Sequence, residues 1–349
     1  MTEKLRIGVI GAGRWGPNLI RNFHSDPASV VVMVADQSTV RLQVLKERYP
    51  DIAVTESADE VFANPAIDAI VICTPTATHH ELARKALENG KNVFVEKPLA
   101  RTVAECDALV ALAEKARKIL FVGHIFVYNA SIQVIREHIR KGDLGKIFHV
   151  QITRTNLGPV RNDVSALWDL ASHDLSILQY WLGEMPVRVS AVGGRFLSNK
   201  LEDTVFATYT FANNLLANIH VSWLNPKKVR EITVVGEKKM LVWDDMNLDK
   251  PVQIYDKKIT IDSDQATGAD RSIVDTFAGF RASIHEGETF VPKIGVNEPL
   301  AAECKAFLRA VKDPSTSLST GYQGKLVVQA LAATDLSLKE NGREISISY

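Results

Sequence analysis

Three glycines near the start of the chain constrain its fold more than any other feature. They lie in the run GAGRWG at positions 11–16, directly after the apolar stretch Leu5–Ile10 and before the helix-like stretch Gly16–His24. In a strand–turn–helix unit the first glycine allows a tight turn, the second lets the backbone approach a pyrophosphate, and the third lets helix and strand pack closely. The two flanking elements weaken the alternative that these glycines only punctuate a turn. The pattern therefore predicts a dinucleotide site that includes Gly11, Gly13, Arg14, Trp15 and Gly16.

The same strand-then-helix pattern repeats over the first third of the chain. Short continuous apolar runs are typical of strands buried on both faces of a parallel sheet, and the segments between them have helical apolar spacing. A repeated βα unit predicts a doubly wound α/β domain, which we place at residues 1–123. The predicted strands are Leu5–Ile10, Val30–Ala35, Ala69–Cys73, Asn92–Val95 and Ile119–Val122, and the predicted helices are Gly16–His24, Gln37–Tyr49, Ala58–Ala63, His79–Asn89 and Val103–Lys118.

Residues 124–349 show a different pattern, in which strands follow one another with few helices between them. This order favours an α+β domain built on an open, mostly antiparallel sheet. Residues 255–295 have no clear pattern, and the last helix is a candidate to pack back on the first domain. The predicted strands are Lys146–Thr155, Val187–Phe196, Thr204–Phe211, Leu215–Trp223, Glu231–Gly236, Met240–Asp244 and Val252–Ile254, and the predicted helices are Asn129–Lys141, Ala166–Trp181, Pro299–Val311 and Tyr322–Glu340.

Composition excludes several classes of function. The 349 residues, 46% of them hydrophobic, suit two ordinary domains, and the 41 basic residues balance the 41 acidic ones without long runs of either sign. Three widely separated cysteines argue against a disulfide framework or a thiolate zinc site. The chain shows no signal peptide and no apolar stretch of the ~20 residues that cross a bilayer. We expect a cytoplasmic protein with a small-molecule partner and with no nucleic-acid or membrane partner.

An acidic residue follows the second predicted strand. Asp36 stands ~20 residues beyond the glycines, where a carboxylate accepts hydrogen bonds from the adenosine ribose and repels a 2′-phosphate. This position favours NAD over NADP as the cofactor. Two alternatives stay open: Arg41 is close enough in sequence to attract a phosphate, and Asp36 is also suited to cap the next helix.

The strand that ends at Cys73 runs into a threonine-rich turn. Ligands of open α/β sheets bind outside the carboxyl ends of the strands, so Thr74, Pro75 and Thr76 are expected to face the cofactor, with His79 close behind them. His79 and the adjacent His80 suggest a metal site, but neighbouring histidines at a helix start diverge in direction and no carboxylate partner is evident. We therefore predict no metal.

A lysine follows the next predicted strand. Glu96 and Lys97 lie at the carboxyl edge where a nicotinamide ring is expected, and a cation there polarises the oxygen of an alcohol or ketone. By itself, a lysine at a strand end is usually just a solvated tip. Asp169 and His173, four residues apart, are neighbours on one face of the helix predicted at Ala166–Trp181. A carboxylate beside an imidazole fixes its tautomer and suits it to accept a proton, although a histidine packed inside a helix is the alternative.

Taken together, the GAGRWG run, Asp36, the Glu-Lys-Pro triplet at 96–98 and the Asp169–His173 pair resemble one family. This is the glucose–fructose oxidoreductase, inositol dehydrogenase and rhizopine-catabolism family of oxidoreductases, and the resemblance covers essentially the whole chain. It implies that Lys97, Asp169 and His173 form the catalytic group, with His173 as the proton acceptor, and it suggests a cis Lys97–Pro98 bond. It also implies that the outer face of the second sheet makes an oligomer interface, so we expect a homodimer or homotetramer.

One segment departs from the pattern of many family members. Where they carry a glycine-rich lead into the Asp-x-x-x-His helix, this chain has Gly-Pro and Arg161 at 158–161, which resembles members that oxidise UDP-N-acetylglucosamine at carbon 3. Arg161 is suited to bind a diphosphate bidentately, unless it is a solvated loop residue. Tyr128, Asn129 and Trp168 are further candidates for the substrate site, whereas we expect Trp223 in the core.

These observations leave three functions open. The first is NAD-dependent oxidation of a secondary hydroxyl of a nucleotide sugar, a UDP-N-acetylhexosamine or its uronate. The second is oxidation of a free polyol or aldose, such as an inositol, in which Arg161 contacts no diphosphate. The third, a non-catalytic NAD-sensing regulator, is disfavoured because a sensor needs no proton acceptor.

Overall fold

Six parallel strands form the first sheet: β1 Leu5–Ile10, β2 Ser29–Ala35, β3 Ala53–Thr55, β4 Ala69–Ile72, β5 Asn92–Glu96 and β6 Leu120–Gly123. Their spatial order is β3–β2–β1–β4–β5–β6 in this computed structural model, which describes residues 4–197, 200–261 and 282–349. The order reverses between β1 and β4, so the carboxyl ends of these strands flank the crevice in which such sheets bind ligands. The predicted doubly wound sheet is confirmed. The sequence pattern did not predict β3, because its three residues are too few to show a period.

Five helices connect the strands of this sheet: α1 Gly16–Ser25, α2 Thr39–Arg48, α3 Ala58–Ala63, α4 His79–Glu88 and α5 Val103–Ala116. Their first turns are set by local chemistry. The Ser38 hydroxyl accepts a hydrogen bond from the Arg41 amide at the start of α2, and Thr102 and Glu105 form a capping box on α5. The helices begin and end within a few residues of the predicted bounds.

Nine strands form the second sheet: β7 Ile147–Leu157, β8 Arg188–Gly194, β9 Thr204–Thr210, β10 Leu216–Ser222, β11 Leu224–Gly236, β12 Met240–Asp244, β13 Val252–Ile261, β14 Ala282–Phe290 and β15 Ile345–Ser346. Their order is β14–β13–β12–β11–β7–β10–β9–β8–β15. Only β7 and β10 pair in parallel among these strands as described, and the other neighbours are antiparallel. The predicted open, mostly antiparallel sheet is confirmed.

Two strands of this sheet extend beyond the predictions. β11 begins at Leu224 because its first part pairs with the end of β7 across a bulge, Leu224 opposite Leu157. β13 continues to Ile261 and pairs with β14, within the segment that showed no pattern. The described part of β14 is exposed, so hydrogen bonds to β13 rather than an apolar period define it. Part of that patternless segment, residues 262–281, lies outside the described residues.

Four helices belong to the rest of the chain: α6 Ala130–Arg140, α7 Ser172–Leu182, α8 Pro299–Lys312 and α9 Gly321–Lys339. The helix predicted at Ala166–Trp181 is not uniform, because a π turn over Leu167–Ala171 precedes α7. Such turns insert an extra residue into a helix and are frequent at functional sites. Within the described ranges no helix is long and apolar enough to span a membrane.

The end of the chain returns to the first sheet. The Val122 amide donates to the Ser319 backbone oxygen, and the Ser319 hydroxyl donates to the Val122 oxygen, so the segment before α9 lies along the edge strand β6. α9 then contacts both α5 and α7. The division predicted after residue 123 coincides with the end of β6, and as a division into domains it stays a prediction.

Candidate active site

The glycine run forms an open cradle at the carboxyl end of β1. Gly11 has a φ of +102°, and a Cβ on it would lie 2.7 Å from the backbone oxygen of Cys73. A Cβ on Gly16 would overlap the backbone oxygen of Gly11, whereas one on Gly13 would meet nothing nearer than Arg41 Nη1 at 3.7 Å. Gly11 and Gly16 are therefore required by the protein's own packing, and Gly13 leaves room beside the backbone. This cradle fits a dinucleotide pyrophosphate.

Asp36 joins the end of β2 to this cradle. One carboxylate oxygen accepts a hydrogen bond from the Ala12 amide at 2.6 Å, and the other accepts one from the Ser38 amide at 2.8 Å. Arg41 Nη1 lies 3.6 Å from the same carboxylate, with its side chain 57% exposed. Asp36 thus supports both the glycine run and the turn before α2. Asp36 lies where the ribose is expected. Arg41, the residue that could instead attract a phosphate, lies beside it.

The turn after β4 places its threonines at the same edge. Thr74 Oγ1 lies 2.7 Å from Thr78 Oγ1, Pro75 is exposed, and Thr76 is buried. His79 is also buried, and both of its ring nitrogens lie close to backbone carbonyl oxygens. The polar atoms of His79 therefore point into the protein, which corrects the expectation that this ring contacts the cofactor.

Glu96 lies at the end of β5 beside the glycine run. Burial raises the pKa of its carboxyl to about 7, against the lowering effects of the Lys97 charge and of a hydrogen bond from Trp15. A Cβ on Gly123, its partner on β6, would stand 3.2 Å from this carboxylate. The structure thus brings Trp15 and Glu96 together at the cofactor edge and leaves Arg14 exposed.

Lys97 reaches from the first sheet to the π turn before α7. Its ammonium donates to the backbone oxygen of Asp169 at 2.7 Å and lies 3.3 Å from the Asp169 carboxylate. The Lys97–Pro98 bond is cis, as the resemblance suggested, and Gly158–Pro159 is cis as well. An ammonium has three donors, and two point to Asp169, so a third is suited to a ligand oxygen.

Asp169 lies at the centre of a cluster of opposite charge. Arg161 Nη1 donates to the same carboxylate oxygen at 3.0 Å, and the Trp223 indole lies 3.4 Å from the other oxygen. Burial raises the pKa of Asp169, but the charges of Lys97 and Arg161 outweigh it and hold that pKa below its usual range. Asp169 is therefore ionised, and it fixes the position of the lysine. Trp223 is in the core as expected, with the added contact to Asp169.

His173 is close to this cluster but does not pair with Asp169. Its Nδ1 is buried without a partner among the described residues, and its ring packs edge-on against Phe126 at 4.9 Å. The expected carboxylate–imidazole pair is thus absent there, because the π turn intervenes and Lys97 and Arg161 draw Asp169 away. Burial lowers the pKa of His173 well below its ordinary value, and the charges of Lys97 and Arg154 lower it further. The imidazole is neutral and able to accept a proton.

A buried ion pair supports α7 behind His173. Arg154 on β7 donates to Asp174 Oδ1 through Nε at 2.8 Å and Nη2 at 2.7 Å, and both side chains are almost fully buried. The Arg154 guanidinium also stacks over Phe126 at 4.3 Å. Neither residue of this pair was among the predicted site residues. The sequence signal that could have pointed to the pair is Asp174, the second aspartate in the segment DLASHD.

Comparisons with known proteins show the family to which the chain belongs. Residues 5–124 match the profile described as an oxidoreductase family with an NAD-binding Rossmann fold, GFO/IDH/MocA, and residues 132–242 match that of the GFO/IDH/MocA C-terminal domain. The chain belongs to the GFO/IDH/MocA oxidoreductase family. It is an NAD-dependent oxidoreductase.

Two similar GFO/IDH/MocA relatives act on different substrates. A myo-inositol 2-dehydrogenase of Thermotoga maritima is 25% identical over 92% of this chain and 95% of its own length. A UDP-N-acetylglucosamine 3-dehydrogenase of Acidithiobacillus ferrooxidans is 26% identical over 93% of this chain and 95% of its own. Among solved structures, a putative oxidoreductase from Magnetospirillum magnetotacticum is 27% identical, with a TM-score of 0.79 over 95% of this chain and 100% of that one.

Three substrate candidates of this GFO/IDH/MocA member have their side chains engaged in other contacts. Tyr128 is buried and stacks on Phe121, the Asn129 side chain caps α6, and the Trp168 indole donates to Asp335 on α9 at 2.7 Å. Their polar or aromatic groups are thus engaged in packing and capping, which corrects the expectation that they line the substrate site. Lys97, Asp169, His173 and Arg161 are brought together.

Proposed function

We propose that this enzyme oxidises a secondary hydroxyl of a nucleotide sugar, carbon 3 of a UDP-N-acetylhexosamine or its uronate. The observation that carries the proposal is the position of Arg161. Its guanidinium touches Asp169 at the catalytic cluster, and its side chain is 32% exposed. A substrate held at Lys97 and His173 would have this cation beside it. The 26% identity to a UDP-N-acetylglucosamine 3-dehydrogenase over nearly the whole chain supports the same choice.

The fork of Arg161 already holds a planar pair of oxygens. Nε and Nη2 donate to the two oxygens of Asp163 at 2.9 and 2.6 Å. Phosphate oxygens present the same bidentate acceptor geometry, so a diphosphate would exchange with Asp163 for this fork. Asp163, itself about one-third exposed, would then turn to solvent.

The proposed mechanism divides the chemistry among three side chains. The glycine run and Asp36 would hold NAD, which supplies the hydride acceptor when bound. His173, kept neutral by burial, accepts the proton of the substrate hydroxyl. Lys97 donates a hydrogen bond to the same oxygen, and its charge fits the developing alkoxide better than the alcohol. Asp169 holds the lysine in place and balances its charge.

A free polyol is the second candidate, and one observation favours it. Because Asp163 and Asp169 together engage the Arg161 fork, that guanidinium is already neutralised without any diphosphate. The myo-inositol 2-dehydrogenase at 25% identity is as similar to this chain as the nucleotide-sugar enzyme. In this case Arg161 would only position Asp169.

The two candidates are separated by absorbance of reduced nicotinamide with NAD and a panel of substrates. UDP-N-acetylhexosamines and their uronates are compared with the same sugars lacking UDP, and with inositols and aldoses. We expect turnover with the UDP compounds, and Arg161→Gln should raise their KM more than tenfold. The exposed Arg140, which pairs with Glu137, gives the matched control Arg140→Gln, which should change nothing. Turnover of free polyols alone, or equal turnover of the sugars with and without UDP, contradicts the nucleotide-sugar proposal.

We propose that the active form is a homodimer or homotetramer in the cytoplasm. The outer face of the second sheet carries exposed apolar side chains on adjacent strands, including Val192 at 56%, Phe206 at 46% and Leu216 at 46% exposure. Light scattering during gel filtration tests this: Phe206→Asp should shift the mass toward a monomer. The cytoplasm is proposed because all three cysteines are buried free thiols.

A further inference from the structure

His79 lies beneath two separate loops at the carboxyl edge of the first sheet. Its Nδ1 is 2.8 Å from the backbone oxygen of Pro98, in the loop after β5, and its Nε2 is 2.9 Å from the backbone oxygen of Thr74, in the loop after β4. The residue is 1% exposed. One buried ring therefore spans the two loops.

The two loops carry different parts of the site. Thr74 follows Cys73, whose backbone oxygen packs against Gly11, and the Thr74 methyl would lie 3.0 Å from a Cβ there. This loop thus lies against the cradle for the cofactor. Pro98 follows Lys97, whose ammonium reaches Asp169. The ring connects the backbone behind the glycine run to the backbone that carries the lysine.

The ring has fewer donors than it has carbonyl neighbours. Burial lowers the pKa of His79 and the nearby charges of Arg161 and Lys97 lower it further, against the raising effect of the two carbonyls. A neutral imidazole has a single N–H, so it donates to one carbonyl while its other nitrogen presents a lone pair. The ring's tautomer therefore determines which loop is held by a hydrogen bond.

We propose that His79 is a positioning residue that couples the seating of the cofactor to the placement of Lys97. One tautomer of the ring holds Thr74, and with it the backbone against the glycine run, and the other tautomer holds Pro98, and with it the base of the lysine. The inference rests on the proposed catalytic role of Lys97. The effect of His79 on the cofactor is measured by NAD binding without turnover. A failure of the proposed catalytic role of Lys97 is therefore distinguishable from a failure of the coupling.

Two substitutions each keep one donor. An asparagine amide nitrogen stands where Nδ1 stands, and a glutamine amide nitrogen stands where Nε2 stands, so H79N keeps the Pro98 contact and H79Q keeps the Thr74 contact. H79N should weaken NAD binding about tenfold and leave kcat within about threefold, and H79Q should do the reverse. The Kd for NAD is read by fluorescence of the substrate-free protein, and kcat with the substrate that the panel identifies.

His80 supplies the matched control. It is the next residue of α4, it is half-buried, and its side chain makes no hydrogen bond within the part of the chain that the structure describes. His80→Gln should change neither NAD binding nor kcat. The coupling is overturned if H79N and H79Q lower both quantities by the same factor, or if both leave the two quantities unchanged. A purely structural role predicts one of those two results.

A measurement on the unsubstituted protein covers the case in which the variants do not fold. With ¹⁵N-labelled histidine, the buried ring N–H of His79 should give a slowly exchanging downfield signal, and its nitrogen shifts should change when NAD binds. Nitrogen shifts that are the same with and without NAD would overturn the coupling. The assignment is checked against H80Q, in which the signal must persist.

Discussion

Two lysines flank β5, and their surroundings differ at its two ends. At the amino end, Lys91 donates to the backbone oxygens of Asn64 and Ile67, both at 2.7 Å. At the carboxyl end, Lys97 donates to a backbone oxygen and a carboxylate of one residue, Asp169. Lys91 is satisfied by turns of its own sheet. The hydrogen-bond acceptors of Lys97 belong to a residue 72 positions later in the chain.

The neighbouring carboxylates repeat this contrast. Asp68, near Lys91, pairs with Arg6 of β1 at 2.6 Å, so cation and acid come from adjacent segments of one sheet. Asp169, beside Lys97, pairs with Arg161 from the loop after β7. The same residue types thus build a structural set at one edge and the proposed catalytic set at the other. What distinguishes the proposed catalytic lysine is the edge on which it lies and the side chains that another part of the chain brings to it.

The sharpest test of this contrast removes each lysine in turn. Lys97→Met should lower kcat by about 10³- to 10⁴-fold, because the ligand oxygen loses its donor and positive charge. The Kd for NAD should stay within about threefold, since the glycine run is unchanged. Lys91→Met should leave kcat unchanged and lower the free energy of unfolding by about 1–3 kcal/mol, because two carbonyls lose their donor. Steady-state kinetics measures kcat, and urea unfolding measures the free energy of unfolding. Equal losses of kcat in the two variants would contradict the difference between the two edges.

A second test concerns the buried support of the catalytic edge. Arg154→Met should lower the free energy of unfolding by about 3–5 kcal/mol, because Asp174 would be left buried without its counter-ion. The control Arg140→Met removes an exposed arginine, which should change stability by only about 0.3–0.5 kcal/mol. Urea unfolding followed by tryptophan fluorescence measures the difference. An Arg154→Met protein as stable as its control would show that the pair does not hold α7.

A third test separates packing from ligand contact within the glycine run. Gly16→Ala should lower the free energy of unfolding by about 1–3 kcal/mol, because its Cβ would overlap the Gly11 carbonyl. Gly13→Ala meets only the flexible end of Arg41 at 3.7 Å, so stability should be unchanged while NAD binding weakens. Thermal melting and NAD titration are the measurements. Unchanged NAD affinity in Gly13→Ala would place the pyrophosphate elsewhere.

The two edges also differ in how far the sequence predicts them. The glycine run, Asp36 and Lys97 each adjoin a strand whose apolar pattern is local, so their meeting at one edge follows from the parallel order of the sheet. The convergence of Arg161 and Trp223 on Asp169 depends on the path of β7 and on the end of β10. Periodicity carries no information on that path.

The misplaced residues show the same limit. Tyr128 and Asn129 lie a few residues beyond β6, yet they pack and cap because a 3₁₀ turn over Ile125–Tyr128 leads the chain into α6. The four-residue spacing of Asp169 and His173 predicted one helical face, but the π turn changes the phase between them. An extra residue in a helical turn leaves no mark in the sequence pattern. Only the three-dimensional structure shows that Asp169 serves Lys97 rather than His173.

The smallest effect expected at the catalytic edge is a shift in the titration of His173. Burial, with the charges of Lys97 and Arg154, lowers its pKa below the ordinary 6.5. The proton-accepting form therefore persists below pH 6.5, and kcat/KM for oxidation should fall only as pH drops through this lowered pKa. NMR titration of the ring should give a midpoint below 6.5. In Lys97→Met the midpoint should rise but stay below 6.5, because burial is the larger cause. A midpoint at or above 6.5 in the unsubstituted enzyme would mean that burial and the charges of Lys97 and Arg154 do not lower the pKa of His173.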